Sequence, residues 1–206
     1  MQRKSCFRYF LAGAVALQAS AAVVQAADSK GRFAFRGAGG ESCKTALDGM
    51  QKDRNEMLII ASWLMGYLTA VNRQQPDTFD VSPLVSPNDL LTAVIGLCTQ
   101  HPDMTVEGVF NKLLAALAVA RNRTDSPLVE TKSGKNVAAV RAETLTAMQA
   151  KLIAFGYLKG SPDGTFGPRI EMALKAFQLA RHLPETGVAD PSTIISLLVE
   201  LPANKN

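Results

Sequence analysis

Residues 144–198 read TLTAMQAKLIAFGYLKGSPDGTFGPRIEMALKAFQLARHLPETGVADPSTIISLL, and this stretch decides how the rest of the chain is read. Leu145, Met148, Leu152 and Phe155 fall on one helical stripe, and Gly156 follows at once. With Gly156 as the left-handed residue past the helix, Tyr157 comes next and covers Leu152, the apolar contact of a Schellman ending. A turn-rich run, GSPDGTFG, leads to Pro168 at the first position of a second helix. Behind it Ile170, Ala173, Leu174 and Phe177 recur at i, i+3, i+4 and i+7. A third short helix opens on Asp190 as N-cap and Pro191 as first residue, with Ile194, Leu197 and Leu198 on its apolar side.

This order of residues resembles the peptidoglycan-binding domain attached to many bacterial cell-wall proteins. The matching pieces are Leu145, Gln149 and Leu152, then Gly156-Tyr157, then Asp163-Gly164 with Phe166-Gly167. Further on come Ala173-Leu174, Phe177-Gln178, and the Thr186-Gly187 turn with Asp190 and Thr193. Two positions depart from the usual pattern: Ile170 stands where Thr is common, and His182 where Gly is common. Histidine tolerates positive φ better than most residues, so the backbone survives that change. A wall contact made through the Thr hydroxyl would be lost.

Most of the matching residues have a structural role to fill. Gly156, Gly164, Gly167 and Gly187 serve turns, and Phe155, Phe166 and Phe177 read as core. Gln149 and Gln178 lie at the edges of apolar stripes, where their amides tie down loop backbone. Tyr157, Asp163, Arg169 and Arg181 remain as ligand candidates. Their groups can bond sugar hydroxyls or pair with the carboxylates of a wall peptide.

Residues 1–26 read as a cleaved secretory signal. Arg3, Lys4 and Arg8 form a basic start, Phe10 to Val24 is mostly apolar, and Val24-Gln25-Ala26 offers the cleavage site. The run is shorter than the ~20 residues of a spanning helix, which argues against a transmembrane segment. Cys6 precedes the apolar run and so is no lipid-attachment cysteine. The whole chain carries +4, but the signal holds three basic residues and no acidic ones. The remaining chain has 19 basic against 18 acidic residues, or +1, with no Lys/Arg stripe for nucleic acid.

Cys43 and Cys98 are then the remaining cysteines. An even pair in an oxidising compartment reads as a disulfide, with free thiols as the alternative; a metal site would need His or acidic company. The closed loop holds 56 residues counting both ends, worth roughly 4 kcal/mol in the chain-entropy model.

Residues 27–41 are a Gly-rich leader, ordered at most locally. From Ser42 to about Arg121 the pattern is helical throughout. Leu58, Ala61, Leu64, Leu68 and Val71 share a stripe, with Trp63 and Tyr67 four apart beside it. Ser86-Pro87 starts a helix with Leu90, Leu91, Val94, Ile95 and Cys98 inward, and His101-Pro102 ends it. Thr105 begins the last helix, carrying Val106, Val109, Phe110, Leu113, Leu114 and Leu117. Cys43, Trp63 with Gly66-Tyr67, Cys98 and Pro102 together resemble the HdeA-type family of small periplasmic helical proteins. Similar cysteine-paired helical domains occur among periplasmic immunity proteins. That resemblance implies chaperone-like or immunity-like binding of a protein partner. In structural terms, Trp63 and Tyr67 pack against the disulfide.

The sequence thus predicts an all-α fold of two small helical domains. Its segments are signal peptide 1–26, leader 27–41, disulfide-bonded helical domain 42–121, flexible linker 122–139 and three-helix peptidoglycan-binding domain 140–202. The linker NRTDSPLVETKSGKN is polar, without helical period. Catalytic chemistry is sparse. His101 and His182 fall in different domains, no nucleophile elbow or phosphate loop occurs, and Glu107 reads as an exposed helix-start carboxylate. No catalytic residue, metal or cofactor is expected. The expected function is a non-catalytic periplasmic protein held to peptidoglycan by its C-terminal domain, its N-terminal domain binding or protecting a protein partner. The alternatives are a targeting accessory subunit of a wall hydrolase and a wall hydrolase itself.

Overall fold

Five of the seven α-helices among the described residues start on a side chain that accepts a backbone N–H of the first turn: Ser42, Asp53, Ser86, Thr105 and Asp190. These caps punctuate the computed structural model, which describes residue 28 and residues 30–199. The candidate signal 1–26, its cleavage site and Cys6 lie outside the described residues, as do residues 200–202. The helices are α1 (Cys43–Lys52), α2 (Arg54–Gln74), α3 (Pro87–Gln100), α4 (Val106–Leu117), α5 (Ala142–Ala154), α6 (Pro168–Ala180) and α7 (Pro191–Leu198). No described helix is long and apolar enough to cross a membrane.

The expected disulfide is present. Cys43 and Cys98 are bonded, with Cα atoms 4.9 Å apart, tying the start of α1 to the last turn of α3. Both are fully buried. The inward residues expected of α4 are all buried, and so are Leu90, Leu91 and Val94 of α3. On α2 the buried row is Ile60, Leu64 and Leu68, whereas Leu58 is 58% exposed, correcting its place on the stripe. Six residues from Leu64, Leu58 points about 120° away around the helix. Trp63 and Tyr67 stack with centroids 5.0 Å apart, each only half-buried. Trp63 also donates from Nε1 to the carbonyl of Arg36 and packs on Gly37 and Gly39. The stretch Gly37–Gly40 is accordingly a 3-10 turn with Ala38 and Gly39 buried, so the end of the leader is ordered by Trp63.

Glu107 also differs from its sequence reading. It is 8% exposed, and its Oε1 accepts from the Tyr67 hydroxyl at 2.7 Å and from the Asn111 amide. Burial, and after it the neighbouring Glu107 carboxylate, pushes the Tyr67 hydroxyl up to about 12. Tyr67 therefore stays a donor across the physiological range.

The fold is mostly helical, as expected, but among the described residues it also holds one small two-stranded sheet and so is not all-α. Beginning in the segment read as a flexible linker and running two residues past it, β1 (Leu128–Ser133) and β2 (Asn136–Arg141) pair antiparallel from Leu128 with Arg141 to Ser133 with Asn136. Gly134, at φ +57°, makes the tight connection. The period of two is hidden in the sequence because the inward face of β1 carries Thr131 and Ser133, both polar and both buried. Their hydroxyls are satisfied: Thr131 Oγ1 donates to Ala138 O and accepts from Ala189 N, and Ser133 Oγ donates to Glu171.

The described residues from Phe35 onward fall in the larger of the two units into which the chain divides. Within the larger unit, the chain before the hairpin is bonded to the chain after it. Buried Asn122 accepts from Thr144 Oγ1 at 2.8 Å and donates to Ser82 O. The Glu143 carboxylate accepts from the backbone N–H of Arg123 and Thr124 and from the Thr124 hydroxyl. Arg141 lies over the Phe79 ring at 4.4 Å and pairs with Asp125.

Candidate functional site

The C-terminal third is built on two glutamines that each hold one glycine turn. Gln149 sits on α5, next to the apolar row Leu145, Met148 and Leu152, and is buried with them. Its Nε2 donates to Asp163 Oδ1 and Thr165 O, both at 2.9 Å. Its Oε1 accepts from the N–H groups of Asp163 and Gly164, both at 2.8 Å. Every hydrogen-bonding position of the amide is used. Gly164 has φ +70°, and a Cβ there would stand 2.9 Å from Ala142 O and 2.7 Å from Thr146 Oγ1. Glycine is required here on both counts.

Gln178 on α6 repeats the arrangement. Its Oε1 accepts from Gly187 N at 2.9 Å, while its Nε2 lies 2.8 Å from Thr193 Oγ1 and 2.9 Å from Thr186 Oγ1. Gly187, at φ +70°, is crowded by Ser133 of the hairpin, whose neighbour Asn136 donates to Thr186 O. The hairpin therefore braces the second turn, a support the sequence reading assigned to no element.

The ends of the helices follow the expected geometry. Gly156, at φ +83°, donates to Ile153 O, and Tyr157 donates to Leu152 O at 2.9 Å, the two bonds of a Schellman ending. His182 takes φ +55°, the left-handed position the sequence comparison anticipated. Two glycine and aromatic assignments change. Gly167 has φ −169°, extended backbone open to any residue, with nothing near where a Cβ would lie, so no turn requires it. Phe155 keeps to its stripe but is 48% exposed, because at the last turn of α5 the space across from it is a cavity. Phe177 is fully buried and Phe166 partly so.

The four ligand candidates separate into two places. Asp163 and Arg169 line a cavity of about 200 Å³ with Gln149, Lys159, Thr165 and Phe166. Asp163 Oδ1 also accepts from the N–H and hydroxyl of Thr165. Those bonds, the Thr165 N–H foremost and then the Gln149 amide, hold its carboxyl below the usual range. Arg169 donates to Lys159 O, closing the loop over itself. Both residues thus shape the loop as well as face the cavity. Arg181 stands elsewhere, its Cζ 5.6 Å from the Phe177 ring centre and 5.9 Å from that of Phe155. Tyr157 meets Phe177 edge-on at 5.8 Å. A larger cavity of about 650 Å³ joins Arg181 and Phe155 to Lys151 and Ser196, two residues to which the sequence reading gave no role. Lys151 lies one helical turn before Phe155, and that spacing was the available signal.

Among the described residues no group of three or more His, Cys, Asp or Glu stands close enough to hold a metal ion. Residues 141–197 match the family model described as "Putative peptidoglycan binding domain", which covers well under half of the chain. The C-terminal resemblance therefore has independent support. No curated protein and no solved structure matches the chain. No comparison supports the HdeA-type likeness of residues 42–121.

Proposed function

We propose that this protein is a non-catalytic, wall-associated protein of the periplasm that uses residues 141–197 to hold peptidoglycan. The observation that carries the reading is the family match over residues whose two buried glutamines clamp both glycine turns. The loop cavity around Asp163 and Arg169 and the larger cavity at Arg181 are the surfaces offered to the wall. The helices α1 to α4 form the part that binds a protein partner, in a chaperone-like or immunity-like role. Leu58 and Ile59, both more than half exposed on α2, are apolar surface available for that purpose. The same features fit a targeting subunit that brings a hydrolase on another chain to the wall.

The test is co-sedimentation of the purified protein with peptidoglycan sacculi, with soluble wall fragments as competitor. Retention that competitor reverses supports the reading, and recovery of all protein in the supernatant refutes it. A zymogram on wall material checks the absence of catalysis, since a cleared band would make the protein a hydrolase.

A further inference from the structure

The larger cavity of the C-terminal third combines cationic and apolar lining. Lys151, Phe155, Arg181, Leu183, Ile195 and Ser196 contribute to it, and no described carboxylate does. Asp190, near in sequence, is occupied elsewhere: Oδ1 accepts from Ser192 and Thr193, and Oδ2 from Thr186 and Gln178. Arg181 is held over two aromatic rings, so its guanidinium is positioned without spending a donor. Among the described residues neither Arg181 nor Lys151 has an ion-pair partner, whereas Lys175 and Arg141 each have one. A half-exposed Phe155 ring adjoins these two cations. At about 650 Å³ the cavity lies within the size range of ligand sites.

The geometry points to this cavity as a subsite for the carboxylate-bearing stem peptide of peptidoglycan, as distinct from its glycan. This inference rests on the wall-binding reading above. A planar guanidinium takes a carboxylate through two parallel N–H bonds, and the Lys151 ammonium takes a second one. The Phe155, Leu183 and Ile195 surfaces receive the methyl groups of alanyl residues. A neutral sugar would leave both cations uncompensated. An acidic segment of a protein would share the charge but not the alternation of carboxylates with single methyls.

The experiment is titration calorimetry of the full chain with three soluble probes. These are a wall disaccharide carrying its stem peptide, the same disaccharide freed of peptide, and an unrelated acidic peptide of equal charge. The double variant Lys151→Gln, Arg181→Gln removes no hydrogen bond and loses only the ring contacts of Arg181, so it should stay folded, with a cooperative melt only slightly below the parent's. It should bind the peptide-bearing fragment at least about tenfold more weakly. Arg181→Lys should recover part of that loss. Parent affinity should fall as salt rises, more steeply than that of the double variant. Equal binding by parent and double variant, or equal binding of the unrelated acidic peptide, overturns the subsite. If the parent still sediments with sacculi, the wall reading survives that result. A parent that binds neither sacculi nor fragments overturns both.

Discussion

Replacing Gln149 by Glu keeps the shape of the side chain and exchanges one NH2 group for an oxygen. In the parent, that NH2 donates to Asp163 Oδ1 and Thr165 O at 2.9 Å inside a residue 1% exposed. The variant loses two hydrogen bonds, worth about 1 kcal/mol each. It also sets a buried carboxylate against the carboxylate of Asp163, with no cation hydrogen-bonded to either. An uncompensated buried charge raises the total to about 3–5 kcal/mol at pH 7. For a cooperative unit of this size, that corresponds to a melting point lower by roughly 6–20 °C. Burial and Asp163 both disfavour ionisation of the new carboxyl, so its folded-state pKa lies above the unfolded one. The variant is therefore least penalised below the unfolded pKa, and its deficit grows as pH rises through the folded pKa. Melting curves of both proteins by circular dichroism, between about pH 4.5 and pH 7.5, measure this difference. A deficit at pH 7 below about 1 kcal/mol, or one that does not change with pH, refutes the account of Gln149 as the fully occupied clamp of the first turn.

Glycine substitutions should separate the two turn positions. Gly164→Ala meets a backbone oxygen at a positive φ and should cost about 2–4 kcal/mol, whereas Gly167→Ala should stay within about 0.5 kcal/mol of the parent; the reverse order in denaturant melts would show that the turn is misplaced. Reducing the Cys43–Cys98 bond removes a constraint on a 55-residue separation and should cost about 4 kcal/mol, read as a lower melting temperature with reductant. An unchanged melt in reductant, with both thiols labelled, would refute it. For Glu143, burial pushes the carboxyl up, but hydrogen bonds from the Arg123 and Thr124 backbone outweigh it and hold the carboxyl below its ordinary value. Its contribution is therefore present above the unfolded pKa and lost as pH falls through the folded one, so Glu143→Gln should flatten the acid limb of the stability curve; parallel limbs for the two proteins would contradict this.

The sequence by itself determined the helices and most of their ends. Apolar residues at helical spacing fixed which face of α4, α6 and α7 is buried, and Pro168, Pro191 and Pro87 marked where helices start, because these signals act within a few residues. The left-handed turns at Gly156 and His182 and the loop-holding use of Gln149 and Gln178 were readable for the same reason. Only the tertiary structure showed the hairpin, since β1 hides its period of two behind buried Thr131 and Ser133 that are satisfied by groups as distant as Ala189 and Glu171. Tertiary structure alone buried Glu107 against Tyr67, 40 residues earlier, and opened Phe155 to a cavity that α5 cannot fill. It also brought Lys151 and Arg181 to that one cavity, because side chains thirty residues apart meet only when two helices pack. Local rules set which way each helix faces; the partner across from that face belongs to the packing.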